Sequence, residues 1–118
     1  MRQVVIIDDN SARSRAALGT AIKGFGCEIV GEGVNGSEAI RLAQDLKPDV
    51  LFLAVGLPEM DGLTAAAQIL EAPLPIIILS SHLDPDLIQR AKEAGVMAYL
   101  AKPLREEELL PAWVTVRP

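Results

Sequence analysis

Five short apolar runs, separated by segments with helical periodicity, predict an α/β fold of the doubly wound kind: a five-stranded parallel sheet with helices on both faces. The runs are centred near residues 5, 29, 52, 78 and 99, so a βα unit of about two dozen residues repeats five times. The clearest run, Val50 to Val55, is branched and continuously apolar, as a strand buried on both faces requires. Short connections and right-handed crossovers then leave a parallel sheet.

Val4-Val5-Ile6-Ile7 makes the first strand, ended by Asp8-Asp9-Asn10. Asn10 or Ser11 can cap the next helix, where Ala17, Leu18, Ala21, Ile22 and Phe25 recur at helical spacing until Gly24 and Gly26 break it. Cys27 to Val30 is the second strand. Asn35 or Ser37 caps a helix with Ala39, Leu42, Ala43 and Leu46 on one face, stopped by Pro48.

The central strand spans about residues 49 to 54, and Met60-Asp61-Gly62 then signals a turn into an alanine-rich helix, Leu63 to Leu70, closed by Pro73 and Pro75. Ile76 to Leu79 is the fourth strand, ending at Ser80-Ser81. Asp84-Pro85 has the form of an N-cap followed by proline at the first helical position, with Leu87, Ile88 and Ala91 as the apolar stripe and Gly95 as terminator. Met97 to Ala101 is the fifth strand, punctuated by Lys102-Pro103. Arg105 to Glu108 opens a last helix with acids in its first turn, and Pro111 interrupts it.

With 118 residues and 50% apolar content, the chain can bury a core without disulfides or metal staples. No apolar run approaches the roughly 18 to 20 residues of a membrane span, and Met1-Arg2-Gln3 leads straight into a strand, so a cytoplasmic protein is expected. A net charge of -5 and 3% aromatic residues leave neither a basic stripe nor a stacking platform, which argues against direct nucleic-acid binding. The single Cys27 reads as a small buried hydrophobe.

In open parallel sheets, ligands sit outside the carboxyl ends of the strands, so chemistry is expected there. Asp8 and Asp9 are adjacent carboxylates at that edge, which repel unless a cation or a lysine neutralises them. Hard oxygens of this kind suit Mg²⁺; the plainer alternative is a solvated turn and helix cap. Ser80 at the end of a strand is by itself a turn residue, Lys102 an exposed turn, and Tyr99 ordinary strand packing. His82 has no partner at metal-ligand spacing, and no glycine-rich phosphate loop or zinc-ligand cluster is present.

Taken together, Asp8, Asp9, Pro58, Gly62, Ser80, Tyr99, Lys102 and Pro103 fall at strand ends in an order that resembles the receiver domain of two-component response regulators, with residues 1–118 as a single domain. The resemblance implies a flavodoxin-like sheet of order 2-1-3-4-5. It also implies that Asp8 and Asp9, with the backbone carbonyl of Gly56, position Mg²⁺. By the same likeness Ser80 and Lys102 contact a phosphoryl group, and Tyr99 switches rotamer on activation. The stretch Glu93 to Pro103, with Leu110-Pro111-Ala112, looks most like receivers of antiterminator-type (ANTAR) regulators. Their helical RNA-binding module has no counterpart before Pro118, so RNA binding is not expected of these residues.

The sequence departs from the family at one position. Where receivers carry the phosphoacceptor aspartate, four residues before the loop proline, this chain has Ala54, with Pro58 setting the register. A methyl group offers no nucleophilic oxygen, so no phosphorylation is expected and Mg²⁺ should bind weakly or not at all. Asp61, beyond the turn, matches the loop aspartate of the pattern and is not a substitute acceptor.

Two accounts of Ala54 stand: a natural pseudo-receiver set by its partners, or an ordinary receiver altered at its acceptor. The expected role is a phosphorelay module, without enzymatic activity of its own, acting through protein contacts on its last two helices and last strand. Expected partners are a histidine kinase or phosphotransfer protein and an output protein or C-terminal domain, with a homodimer possible in the family. A phosphorylation-independent dimerisation or partner-binding module is the main alternative. A flavin-binding domain on the same fold is disfavoured, because the loops after Ile7 and Ala54 are not rich in Ser, Thr and Gly.

Overall fold

The computed structural model describes residues 2–8, 12–24, 26–58, 60–69, 74–80 and 84–101. The elements run β1 (Arg2–Ile7), α1 (Ala12–Lys23), β2 (Cys27–Gly33), α2 (Gly36–Leu46), β3 (Val50–Ala54), α3 (Gly62–Ile69), β4 (Ile76–Ser80), α4 (Pro85–Ala94) and β5 (Ala98–Ala101). All ladders are parallel, and the strand order is β2-β1-β3-β4-β5. This is the doubly wound, flavodoxin-like arrangement that the sequence predicts. The last helix expected from Arg105 onward lies outside the described residues.

Strand alternation sorts the continuous apolar runs onto two faces. Val5, Ile7, Leu51, Leu53, Ile76 and Ile78 pack with the buried residues of α2, α3 and α4. Val4, Ile6, Val50, Phe52, Ile77 and Leu79 pack with Leu18 and Ile22 of α1 and with Cys27. Every residue from Val50 to Leu53 is fully buried. Covered faces on both sides explain why β3 shows no polar alternation.

The helix ends follow local chemistry. Asn35 Oδ1 accepts the Glu38 N–H at 2.8 Å, so Asn35 is the cap of α2. Asp84 does the same for Leu87 at 2.8 Å, with Pro85 beginning α4, and Gly95 closes that helix at a φ of 83°. At the end of α2, Lys47 takes a left-handed conformation, its N–H donating to Ala43.

Two strands are longer than the sequence suggests, β1 starting at Arg2 rather than Val4. β2 continues past Val30 to Gly33, because a register shift between Val4 and Val5 skips Val30 and lets Gly31, Glu32 and Gly33 pair with Val5, Ile6 and Ile7. Gly31 and Gly33, beyond the apolar run, are ladder residues.

Candidate functional site

The parallel registers bring three sequence-predicted positions to one edge. Ile7 pairs with Leu53 and Ala54 with Leu79, so Asp8, Ala54 and Ser80 lie at the carboxyl ends of three adjacent strands. The Asp8 N–H donates to the Gly33 carbonyl at 3.0 Å, which carries the β1–β2 ladder one residue further. Asp8 is 1% exposed, the buried charged residue among those described. A buried carboxylate persists only when paired or hydrogen-bonded, and no buried side-chain oxygen or nitrogen among the described residues lacks a partner.

Arg15 is the neighbour that sequence reading missed. Its Nη1 donates to the Asp8 backbone carbonyl at 2.9 Å, and its Nε lies 3.9 Å from Glu32 Oε1. A signal existed: Arg15, Leu18 and Ile22 are spaced three and four apart, so the arginine extends the buried stripe of α1 to the carboxyl edge.

The loop after β3 is tied down by backbone bonds. The Val55 N–H donates to Leu79, while the Val55 carbonyl accepts from Leu57 at 2.9 Å and from Gly62 at 2.8 Å. Ala54 is 2% exposed at the start of this turn. Gly62 comes so close that a Cβ on it would collide with the Ala54 carbonyl oxygen, which is why the turn signal requires glycine there. Met60 fills the notch over Gly36, fastening the loop to α2.

Asp61 holds two groups at once. Oδ1 accepts the Thr64 N–H at 2.8 Å, capping α3, and Oδ2 accepts from Arg90 Nη2 of α4 at 3.1 Å. Burial pushes its carboxyl up, but the Thr64 backbone N–H, the Arg90 guanidinium and the Thr64 hydroxyl together outweigh that and hold it below the usual range. Arg90 is 29 residues away in sequence, a separation at which no spacing rule applies.

Tyr99 of β5 packs partly buried against the core on the α2–α3–α4 side, and Ser80 is half-buried at the end of β4. Gly56 is exposed in the loop. Asp9, Lys102, Pro103 and His82 lie outside the described residues. Among the described residues there is no group of three His, Cys, Asp or Glu side chains placed to hold a metal ion. No helix among them is long and apolar enough to cross a membrane.

Comparison with known proteins agrees with this geometry. Residues 4–113 match the response regulator receiver domain family. The transcriptional regulatory protein PdtaR of Mycobacterium tuberculosis is 40% identical over 109 residues, which cover 92% of this chain and 53% of that protein. A protein-glutamate methylesterase/protein-glutamine glutaminase of Geobacter sulfurreducens is 38% identical over 112 residues, covering 92% of this chain and 30% of that protein. The chain thus spans about half the length, or less, of these relatives.

Among solved structures, the signal receiver domain of a modulated diguanylate cyclase from Desulfovibrio desulfuricans superposes with a TM-score of 0.86 at 32% identity, over 98% of this chain and 93% of that one. The response regulator domain of Thermotoga maritima CheB does so with a TM-score of 0.87 at 26% identity, over 100% and 99%. Fold, strand order, family match and relatives agree: the chain belongs to the response regulator receiver domain family of two-component signalling.

Proposed function

We propose that this receiver is not switched by phosphorylation at position 54, and that protein contacts set its output instead. The observation that carries the reading is Ala54 itself, the last residue of β3, buried beside Asp8 at the carboxyl edge. Formation of an acyl phosphate requires a carboxylate oxygen in line with the donor, and a methyl group has none.

In this reading Asp8 and Asp9, with the Gly56 carbonyl, keep the cation-positioning roles of the family. Ser80 and Lys102 stand where the family contacts the phosphoryl group, roles that only an acceptor restored at position 54 would call on, and Tyr99 stands where the family has its switch. Receiver domains generally bind Mg²⁺ at their acidic site. Here position 54 gives the ion no oxygen, so it binds weakly if at all, and the chain carries out no chemistry of its own.

The partners are those of the family, histidine kinases or phosphotransfer proteins and output domains, met in the cytoplasm. The likeness to PdtaR supports control of transcription as the process served by the whole protein.

The test is intact mass after incubation with Mg²⁺ and a small phosphoryl donor, run on this chain and on Ala54→Asp. One phosphoryl group gained by Ala54→Asp alone is the expected result, and it identifies a receiver disabled at one position. Gain by the unmodified chain overturns the proposal. Gain by neither withdraws the phosphoryl-contacting roles of Ser80 and Lys102 and leaves partner binding as the function.

A further inference from the structure

We propose that the Asp61–Arg90 pair is a latch that holds α4 on the N-terminal end of α3, and that α4 is the element released when it opens. The contact is 3.1 Å between Arg90 Nη2 and Asp61 Oδ2, the shortest of the ion pairs among the described residues. The Asp61 carboxylate is already oriented, because its other oxygen holds the Thr64 N–H. Arg90 therefore meets a preorganised acceptor and restricts only its own side chain.

The seating of α4 makes so small a tie matter. α4 buries Leu87 and Ala91, whereas α3 buries Gly62, Leu63, Ala65, Ala66 and Ile69. The other described side-chain bonds of α4 are local: Asp84 caps its own helix, and Gln89 reaches Glu93 at 3.1 Å. A helix with little buried area opens locally at low free-energy cost, and a single cross-element ion pair is then a visible share of what holds it.

Asp61 belongs to the loop that follows Ala54, and α4 to the segment that follows Ser80. The latch thus joins the two connections that leave the carboxyl edge at β3 and β4. A ligand or partner that displaces the β3–α3 loop withdraws the acceptor from Arg90 and shifts α4 toward its released state. This inference rests on the contact and on the burial of α4, so it stands or falls separately from the reading of position 54.

Amide hydrogen exchange tests it on the unmodified chain, Arg90→Gln, Asp61→Asn and the double variant. Asparagine keeps an oxygen for the Thr64 cap while removing the charge. Exchange in residues 87–94 should quicken about 1.5- to 5-fold in each single variant, the range an exposed ion pair supports, with no further gain in the double variant and α2 unchanged. High salt should move the unmodified chain toward the variants. Unchanged exchange in α4, equal change in α2 and α4, or independent effects that multiply in the double variant would each overturn the latch.

Discussion

Helices α3 and α4 lie on the same face of the sheet, yet different forces hold them. α3 is seated by apolar burial and by a backbone approach so close that Gly62 admits no side chain. α4 has well-made ends, an Asp84 cap and a Gly95 stop, but few side chains in the core. Caps stabilise a helix as a helix; they do not hold it in place. A helix can therefore be locally well formed and still be the part of the fold that moves.

The largest expected effect sharpens this contrast. Leu63→Ala and Leu87→Ala remove the same atoms from buried sites, 4% and 8% exposed. Such truncations cost about 2 to 5 kcal/mol, depending on how far the site collapses. Leu63, held between the sheet and a fixed turn, should fall in the upper part of that range. Leu87, on a helix free to settle, should fall in the lower part. Urea unfolding with unchanged m-values measures both, and equal losses would erase the distinction.

A smaller effect is expected at Gly62→Ala. Alanine favours a helix over glycine by up to about 1 kcal/mol, and the φ here is not left-handed, so propensity alone predicts stabilisation. The collision is with the Ala54 carbonyl, which is backbone and cannot turn aside, and overpacking of this kind costs about 1 to 3 kcal/mol. Net destabilisation is the expected outcome of denaturant unfolding. A more stable variant would show that the loop after β3 yields, and that α3 is no more firmly seated than α4.

The smallest effect concerns pH. The Asp61 carboxyl is held below its ordinary value of 3.8, so the folded state binds its proton less readily than the unfolded chain. Its contribution is present above that value and is lost as pH falls through the folded-state pKa. The stability difference between the unmodified chain and Asp61→Asn should therefore shrink on acidification below 3.8. A difference that stays constant through that window would mean that the charge of Asp61 does not stabilise the fold.

Much of this was legible from residues alone. The apolar runs located all five strands, Pro48 and Gly95 marked helix ends, and Asp84-Pro85 announced a cap that the structure contains. The apolar run of β2 ends at Val30, and only pairing with β1 shows that Gly31, Glu32 and Gly33 continue the ladder. At the site, Asp8, Ala54 and Ser80 could be placed at strand ends because a parallel sheet aligns those ends. Arg15 was legible in principle from the stripe it shares with Leu18 and Ile22. Arg90 was not, since nothing in its own helix indicates a carboxylate 29 residues upstream.

The sequence by itself determined the periodicities, the turn chemistry and the methyl group at position 54. These are properties of neighbouring residues and of side-chain composition, and they hold before any packing. Only the tertiary structure decided that Gly62 lies against the Ala54 carbonyl, that Arg15 grips the end of β1, and that Arg90 meets Asp61. Those contacts depend on the angles at which separate elements pack, which side chains from distant parts of the chain set together.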